Sequence, residues 1–239
     1  MKTLIQKWGI TIYILVLSVH LYAQVLGEPY KMVQIVTKVL LLPILILFLA
    51  MQATNEHTPK GKWLVLVGLV GSVAGDVFLL ADNYFIPGMV AFMTTHIFNI
   101  IFFSKIYGPL QPRSIKLYVS KFILVCFCVF IYFQLRVAMG VLIYPVLVYM
   151  ALISTAALMA IHVSNKPSSK IIANLFWTPG MLFFITSDTV LAFNKFSWEK
   201  AGPHLQHIGL VTMLTYGIAQ LLLVKGFQLY FANASKAAV

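Results

Sequence analysis

Apolar runs of about 20 residues recur along this chain, and that repetition leaves few folds open. Such a run is what a helix needs to cross about 30 Å of hydrocarbon. In lipid, a helix also satisfies its own backbone N–H and C=O groups. The runs fall at 8–26, 32–52, 63–82, 86–104, 117–134, 138–161, 171–194 and 206–229. Helix breakers separate them: Gly27-Glu28-Pro29, Thr58-Pro59-Lys60-Gly61, Asp82-Asn83, Gly108-Pro109, Lys166-Pro167 and Gly202-Pro203. The junction near Arg136 has the weakest break. Only 10% of the residues are charged, against about 25% in soluble domains. The expected fold is therefore an all-α integral membrane protein, a compact bundle of about eight transmembrane helices. Residues 1–239 are expected to form a single multi-pass domain. Lys2 and Lys7 before the first run resemble the start of a signal peptide. No clean small-x-small cleavage site follows, and Leu21-Tyr22-Ala23 is a poor substitute, so the run reads as a membrane helix.

The net charge of +11 does not point to nucleic acid, because the basic residues lie between apolar runs rather than in one block. They read as topology determinants. One side would carry Lys2, Lys7, Lys60, Lys62, Lys105, Arg113, Lys116, Lys166, Lys170, Lys225 and Lys236. The other would carry Lys31, Arg136, Lys195 and Lys200. The positive-inside rule puts both termini in the cytoplasm, and a bacterial inner membrane is the expected location. Cys126 and Cys128, two apart on one helix, point different ways and suggest neither disulfide nor metal pair. The six His residues (His20, His57, His96, His162, His204 and His207) show no clustered ligand spacing. No metal and no cofactor are expected.

Two of the six acidic residues lie deep inside the apolar runs, Asp76 in Gly75-Asp76 and Asp188 in Ser187-Asp188, while Asp82 stands at the end of one and reads as a loop residue. An ionisable group at membrane depth costs several kcal/mol and marks a functional site by default. Counted from the outer helix ends, Asp76, Asp188, Lys38, Tyr144 and His96 all lie roughly 10–14 Å deep. Five helices thus bring polar groups to one level, as a single polar chamber requires. Ser72, Gly75, Asp76 and Leu79 share a helix face, as do Phe92, His96 and Asn99. The same holds for Gly180, Phe184, Ser187, Asp188 and Leu191, and for Thr212, Tyr216 and Gln220. Gly71 and Gly75 read as close-packing positions. The bland reading of the aspartates is a buried salt bridge with Lys38, and that of Lys38 is a side chain snorkelling to the interface. Asp76 and Asp188 are 112 residues apart, while Asn83/Asn194, Phe85/Phe196 and His96/His207 are each 111 apart. This is a weak trace of a four-plus-four repeat.

Across these words the chain resembles the YhhN-like family of membrane proteins, whose characterised members are lysoplasmalogenases. The resemblance rests on Lys38 and Pro43, Gly75-Asp76, Phe92 and His96, and Tyr144 and Tyr149. It continues through Gly180 to Phe183, Ser187-Asp188, Leu191-Ala192, and Tyr216 with Gln220. Lys38 is followed by Val39 where the family pattern has proline. The resemblance implies hydrolysis of the vinyl ether of a lysoplasmalogen to a fatty aldehyde and a glycerophospho-alcohol. The implied partner is a lysophospholipid substrate drawn from the bilayer.

A vinyl ether is cleaved by protonating its β-carbon, which leaves an oxocarbenium ion that water attacks. That chemistry needs one carboxyl protonated and another ionised, the division of labour that glycosidases apply to a similar cation. Asp76 and Asp188 are the expected catalytic pair. Lys38 would hold the phosphate or partner the ionised carboxylate. His96, Tyr144, Tyr149 and Tyr216 would orient water or bind the glycerol oxygens. Ser187 and Gln220 complete the expected substrate-binding set, with the hydrocarbon chain among Phe92 and Phe183. Two other readings compete. An intramembrane aspartyl protease also uses two membrane Asp residues, but no Tyr-Asp, Gly-x-Gly-Asp or Pro-Ala-Leu word is present. A transporter or lipid-binding protein would use the same carboxylates as proton carriers.

Overall fold

The computed structural model describes residues 2–52, 61–110, 114–198 and 208–236. Lys60, Arg113, Lys200, His57, His204, His207 and the Thr58-Pro59 and Gly202-Pro203 breakers lie outside the described residues. The described residues are helical, with no strand among them. They form α1 (Lys2–Leu26), α2 (Lys31–Ala50), α3 (Lys62–Phe78) and α4 (Phe85–Tyr107). Then follow α5 (Ile115–Met139), α6 (Ile143–Val163), α7 (residues 170–198) and α8 (Ile208–Lys236).

The chain is a multi-pass membrane protein, though the expected count of eight crossings is approximate. Six stretches among the described residues are long and apolar enough to cross a membrane. One of them, Ile115–Val163, is 49 residues long and contains both α5 and α6, while α3 has only 17 residues. The weak junction resolves at Gly140. Its φ of 54° lies in the left-handed region, which only glycine adopts cheaply, and a 3₁₀ turn over Gly140–Leu142 follows. Cys128 on α5 and Ser154 on α6 then meet at 3.4 Å, so the two helices form an antiparallel hairpin about that turn.

The molecule carries apolar side chains outward and polar ones inward. Phe122 is 70% exposed and Val137 87%, whereas Ser72, His96 and Ser169 are fully buried. An apolar exterior of this extent needs lipid or another partner over it. Lysines cap carbonyls at one end of the bundle. Lys62 donates to Ala50 and Gln52, both at 3.0 Å, and Lys166 donates to Ile106 at 2.9 Å. These are the free carbonyls at the C-termini of α2 and α4, where a cation also meets the negative end of the helix dipole.

Helix α8 packs against α1, α2 and α7, α3 packs against α4, and α6 joins α4 to α7. Helix α5 lies outside, against α6 and the last turn of α7. The half of the bundle toward the α4 C-terminus is filled by aromatic rings: Phe102 and Phe227 are 5.1 Å apart, and Phe103 and Trp177 are 5.2 Å apart. Close approach is set at Gly75, where a Cβ would come within 2.5 Å of the Phe92 ring. The Gly71/Gly75 stripe therefore packs α3 on α4, as expected from the sequence.

Candidate active site

The opposite half of the bundle is hollow. Helices α2, α4 and α8 begin there, α3 and α7 end there, and a cavity of about 170 Å³ opens between them. Lys38 of α2, Asp76 of α3, Phe92 of α4, Ser187 and Asp188 of α7, and Tyr216 of α8 line it. Both membrane aspartates and Lys38, read from three separate helices, thus share one chamber.

Each carboxylate is held by a tyrosine. Tyr216 donates to Asp76 Oδ2 at 2.8 Å, and Tyr149 of α6 donates to Asp188 Oδ2. Asp76 is 4% exposed, while Asp188 is only half-buried. His96 Nε2 lies 3.1 Å from the Tyr149 hydroxyl. The single hydroxyl hydrogen of Tyr149 goes to Asp188, so we assign the remaining hydrogen to His96 Nε2 as the donor. His96 Nδ1 is then a buried acceptor without a protein partner. The result is a directed chain, His96 to Tyr149 to Asp188.

Beneath Asp76 a second chain locks the helices. Gln220 donates to Ser72 at 3.2 Å, Ser72 lies 3.0 Å from Thr95, and Thr95 donates to the Gly68 carbonyl at 2.8 Å. Because Thr95 spends its hydrogen on Gly68, Ser72 donates to Thr95. Rings of Phe92, Phe184 and Tyr216, with centroids 5.5–6.0 Å apart and edges to faces, form the floor. Three helices are thereby fixed behind the carboxylates.

The expected substrate-binding residues divide. Lys38, Ser187 and Tyr216 line the cavity. Lys38 faces the same cavity as both aspartates, yet the ion pair found among the described residues is the exposed Lys31–Glu28. The bland salt-bridge reading therefore lacks a direct Lys38–Asp contact. His96 and Tyr149 stand behind Asp188, and Gln220 stands behind Asp76. Ser187 donates to the Thr212 carbonyl at 3.0 Å, tying α7 to α8. Tyr144 is not brought to the others: it is 73% exposed on α6 and absent from the cavity wall. Depth placed it at the right level, but its position around the helix turns it outward. Phe183 is likewise exposed, so only Phe92 of the two expected aromatic neighbours is at the cavity.

The sequence reading missed Asn194 and Lys195, which also line the cavity. They open a π-helical turn over Asn194–Trp198 at the end of α7. They lie seven residues after Ser187 and Asp188 and so continue the same helical face; hydropathy ends the run at 194 and assigns Lys195 to the outer boundary, which leaves the pair out of the expected site. Near the start of α7 a second π turn, Ala173–Trp177, precedes Pro179. There the ring and missing N–H of proline explain the widening; nothing in the local sequence explains the turn at Asn194. Among the described residues no three His, Cys, Asp or Glu side chains converge as a metal site requires.

A sequence model described as the YhhN family matches residues 33–227. Among curated proteins, human lysoplasmalogenase TMEM86A is 31% identical over 165 residues, covering 66% of this chain and 62% of its own length. Human lysoplasmalogenase TMEM86B is 32% identical over 168 residues, covering 70% of this chain and 65% of its own length. The matched part thus spans less than two thirds of either relative. No solved structure matches the chain.

Proposed function

The chain belongs to the YhhN family, and on that premise we propose that it hydrolyses the vinyl ether bond of lysoplasmalogen-type lipids taken from the bilayer. The observation that carries the reading is the pair of membrane-depth carboxylates facing one cavity from separate helices, each held by a tyrosine hydroxyl. Relatives named lysoplasmalogenase support the same class of reaction.

The chemistry follows from the groups present. A protonated carboxyl gives its proton to the β-carbon of the vinyl ether, and the π electrons form the new C–H bond. The positive charge left on the ether carbon and oxygen is stabilised by the second, ionised carboxylate. That carboxylate then takes a proton from water as the water oxygen bonds to the cationic carbon, giving a hemiacetal. The hemiacetal hydroxyl returns a proton to the first carboxylate, the second carboxyl protonates the departing glycerol oxygen, and aldehyde and alcohol separate. Both carboxyls end as they began. Lys38 supplies a charge for the phosphate.

The test is an assay of the purified protein against lysoplasmalogen, an ester lysophospholipid and a peptide side by side. Aldehyde release from the vinyl ether alone is the expected result. Cleavage of the peptide would instead support an intramembrane aspartyl protease, and no cleavage of any substrate would support a carrier. The cavity then faces the outer side of the membrane and both termini lie in the cytoplasm, as the distribution of Lys and Arg indicates. Reporter fusions at the two ends should both report cytoplasm; a C-terminus outside with the N-terminus inside would mean that the helices are miscounted.

A further inference from the structure

Two smaller cavities adjoin the chamber, and both are apolar. One of about 60 Å³ lies between α5, α6 and α7, walled by Phe127, Ile131, Ile153 and Ile185 among others. The second, of about 50 Å³, lies between α4, α6 and α7, beside Met89, Val146 and Phe196. Asp188 borders all three cavities, whereas Asp76 borders the polar one only. The few polar groups on the α5 side are already engaged. Ser154 bonds to Cys128 at 3.4 Å, and Thr189 donates to its own helix at the Ile185 carbonyl at 2.7 Å. Nothing there awaits a headgroup. The outer face of α5 beside this cavity is apolar and open, with Val129 48% and Phe130 53% exposed.

We infer that these two apolar cavities seat the hydrocarbon chain next to the vinyl ether, and that Asp188 is consequently the carboxyl that protonates the β-carbon. The inference rests on the lipid-hydrolase reading above. In a vinyl ether the β-carbon is the carbon joined to the hydrocarbon chain, while the ether oxygen is joined to glycerol. A substrate with its chain in the apolar cavities and its phosphoglycerol beside Lys38 therefore passes Asp188 with its β-carbon and meets Asp76 with its oxygen side. Asp188 loses its proton to carbon and regains one from the hemiacetal hydroxyl. Asp76 takes the proton of water and passes it to the glycerol oxygen. The cavities are small, so only the carbons nearest the double bond are enclosed. The rest of the chain lies in the bilayer along α5.

Two measurements that do not depend on turnover test this. In a Cys126→Ser protein, Cys128 borders the cavity and reports its occupancy. A saturated 1-alkyl ether lysolipid should slow its reaction with N-ethylmaleimide, and glycerophosphocholine should not. Equal labelling with and without the alkyl lipid overturns the chain site even if vinyl ethers are cleaved. Protection without any cleavage would instead retain the site and remove the reaction. The second measurement uses an analogue with a secondary ammonium in place of the ether oxygen. Its binding, followed by calorimetry, should weaken about tenfold or more in Asp76→Asn and far less in Asp188→Asn, because the cation pairs with the ionised carboxylate. The reverse order overturns the assignment of Asp188 as the acid. Ala192 borders both apolar cavities. Ala192→Phe should lower the kcat/KM ratio of hexadecenyl to propenyl substrate about tenfold, a typical effect of overpacking; an unchanged ratio counts against the chain site.

Discussion

Asp76 and Asp188 stand in similar sequence words and occupy different surroundings. Asp76 is sealed at the base of a polar chamber, backed by the Gln220–Ser72–Thr95 chain and held by Tyr216. Asp188 stands half-buried where polar and apolar cavities meet, held by Tyr149 with His96 behind it. One carboxyl therefore faces only the chamber that holds Lys38 and the other polar groups, while the other also borders two apolar cavities. In the proposed mechanism these unlike surroundings give two like groups unlike tasks, as paired carboxylates divide acid and base roles elsewhere.

The largest effects should come from the carboxyls. Asp76→Asn and Asp188→Asn keep the shape but remove both proton transfer and charge, so each should lower aldehyde release about a thousandfold. The double variant should be little worse than either single one if the pair acts as a unit. The pH profile should be bell-shaped. At low pH both carboxyls are protonated and neither takes the water proton; at high pH both are ionised and neither protonates carbon. In heavy water, turnover should slow and the aldehyde should carry deuterium on the carbon beside its carbonyl. Full turnover in a folded Asn variant would end the two-carboxylate mechanism.

The tyrosines sharpen the contrast at the next level. In that mechanism Tyr216 bonds the ionised Asp76, and Tyr149 bonds the carboxylate that forms on Asp188 as its proton leaves. A hydrogen bond to a charged group is worth about 1.5–3 kcal/mol, so Tyr149→Phe and Tyr216→Phe should each lower kcat about ten- to a hundredfold. His96→Gln keeps a donor for Tyr149 and should be milder than His96→Leu. Equal losses in both His96 variants would mean that packing, rather than the directed chain, matters at this position.

Lys38→Met should raise KM for a phosphate-bearing vinyl ether about tenfold and spare one lacking phosphate. Equal loss on both substrates would assign Lys38 to Asp76 instead. The smallest effect is expected at Tyr144, where an exposed side chain away from the cavity should tolerate Tyr144→Ala within about 0.5 kcal/mol in stability, with aldehyde release kept.

The helices and the membrane class were legible because both rest on local properties: run length, scarcity of charge and the requirement that backbone polar groups bond within the segment. Helical periodicity also identified the buried faces bearing Ser72, Asp76, Phe92, His96, Ser187, Tyr216 and Gln220. It failed where depth alone was used. Tyr144 has the right height on α6 but the wrong angle, and depth along an axis carries no information about rotation around it. Asn194 and Lys195 were missed for another reason: they continue the face of Ser187 and Asp188, but hydropathy ends the run there and assigns the polar pair to the outer boundary.

By itself, then, the sequence determined that two carboxylates would be carried to one level of a helical membrane bundle with a lysine nearby. Tertiary structure alone decided which tyrosine holds which aspartate, that the salt bridge with Lys38 is not made directly, and that Asp188 borders apolar cavities. The physical reason is that hydropathy and periodicity act within one helix, whereas a hydrogen bond or a cavity wall depends on the rotation and spacing of several helices packed against one another.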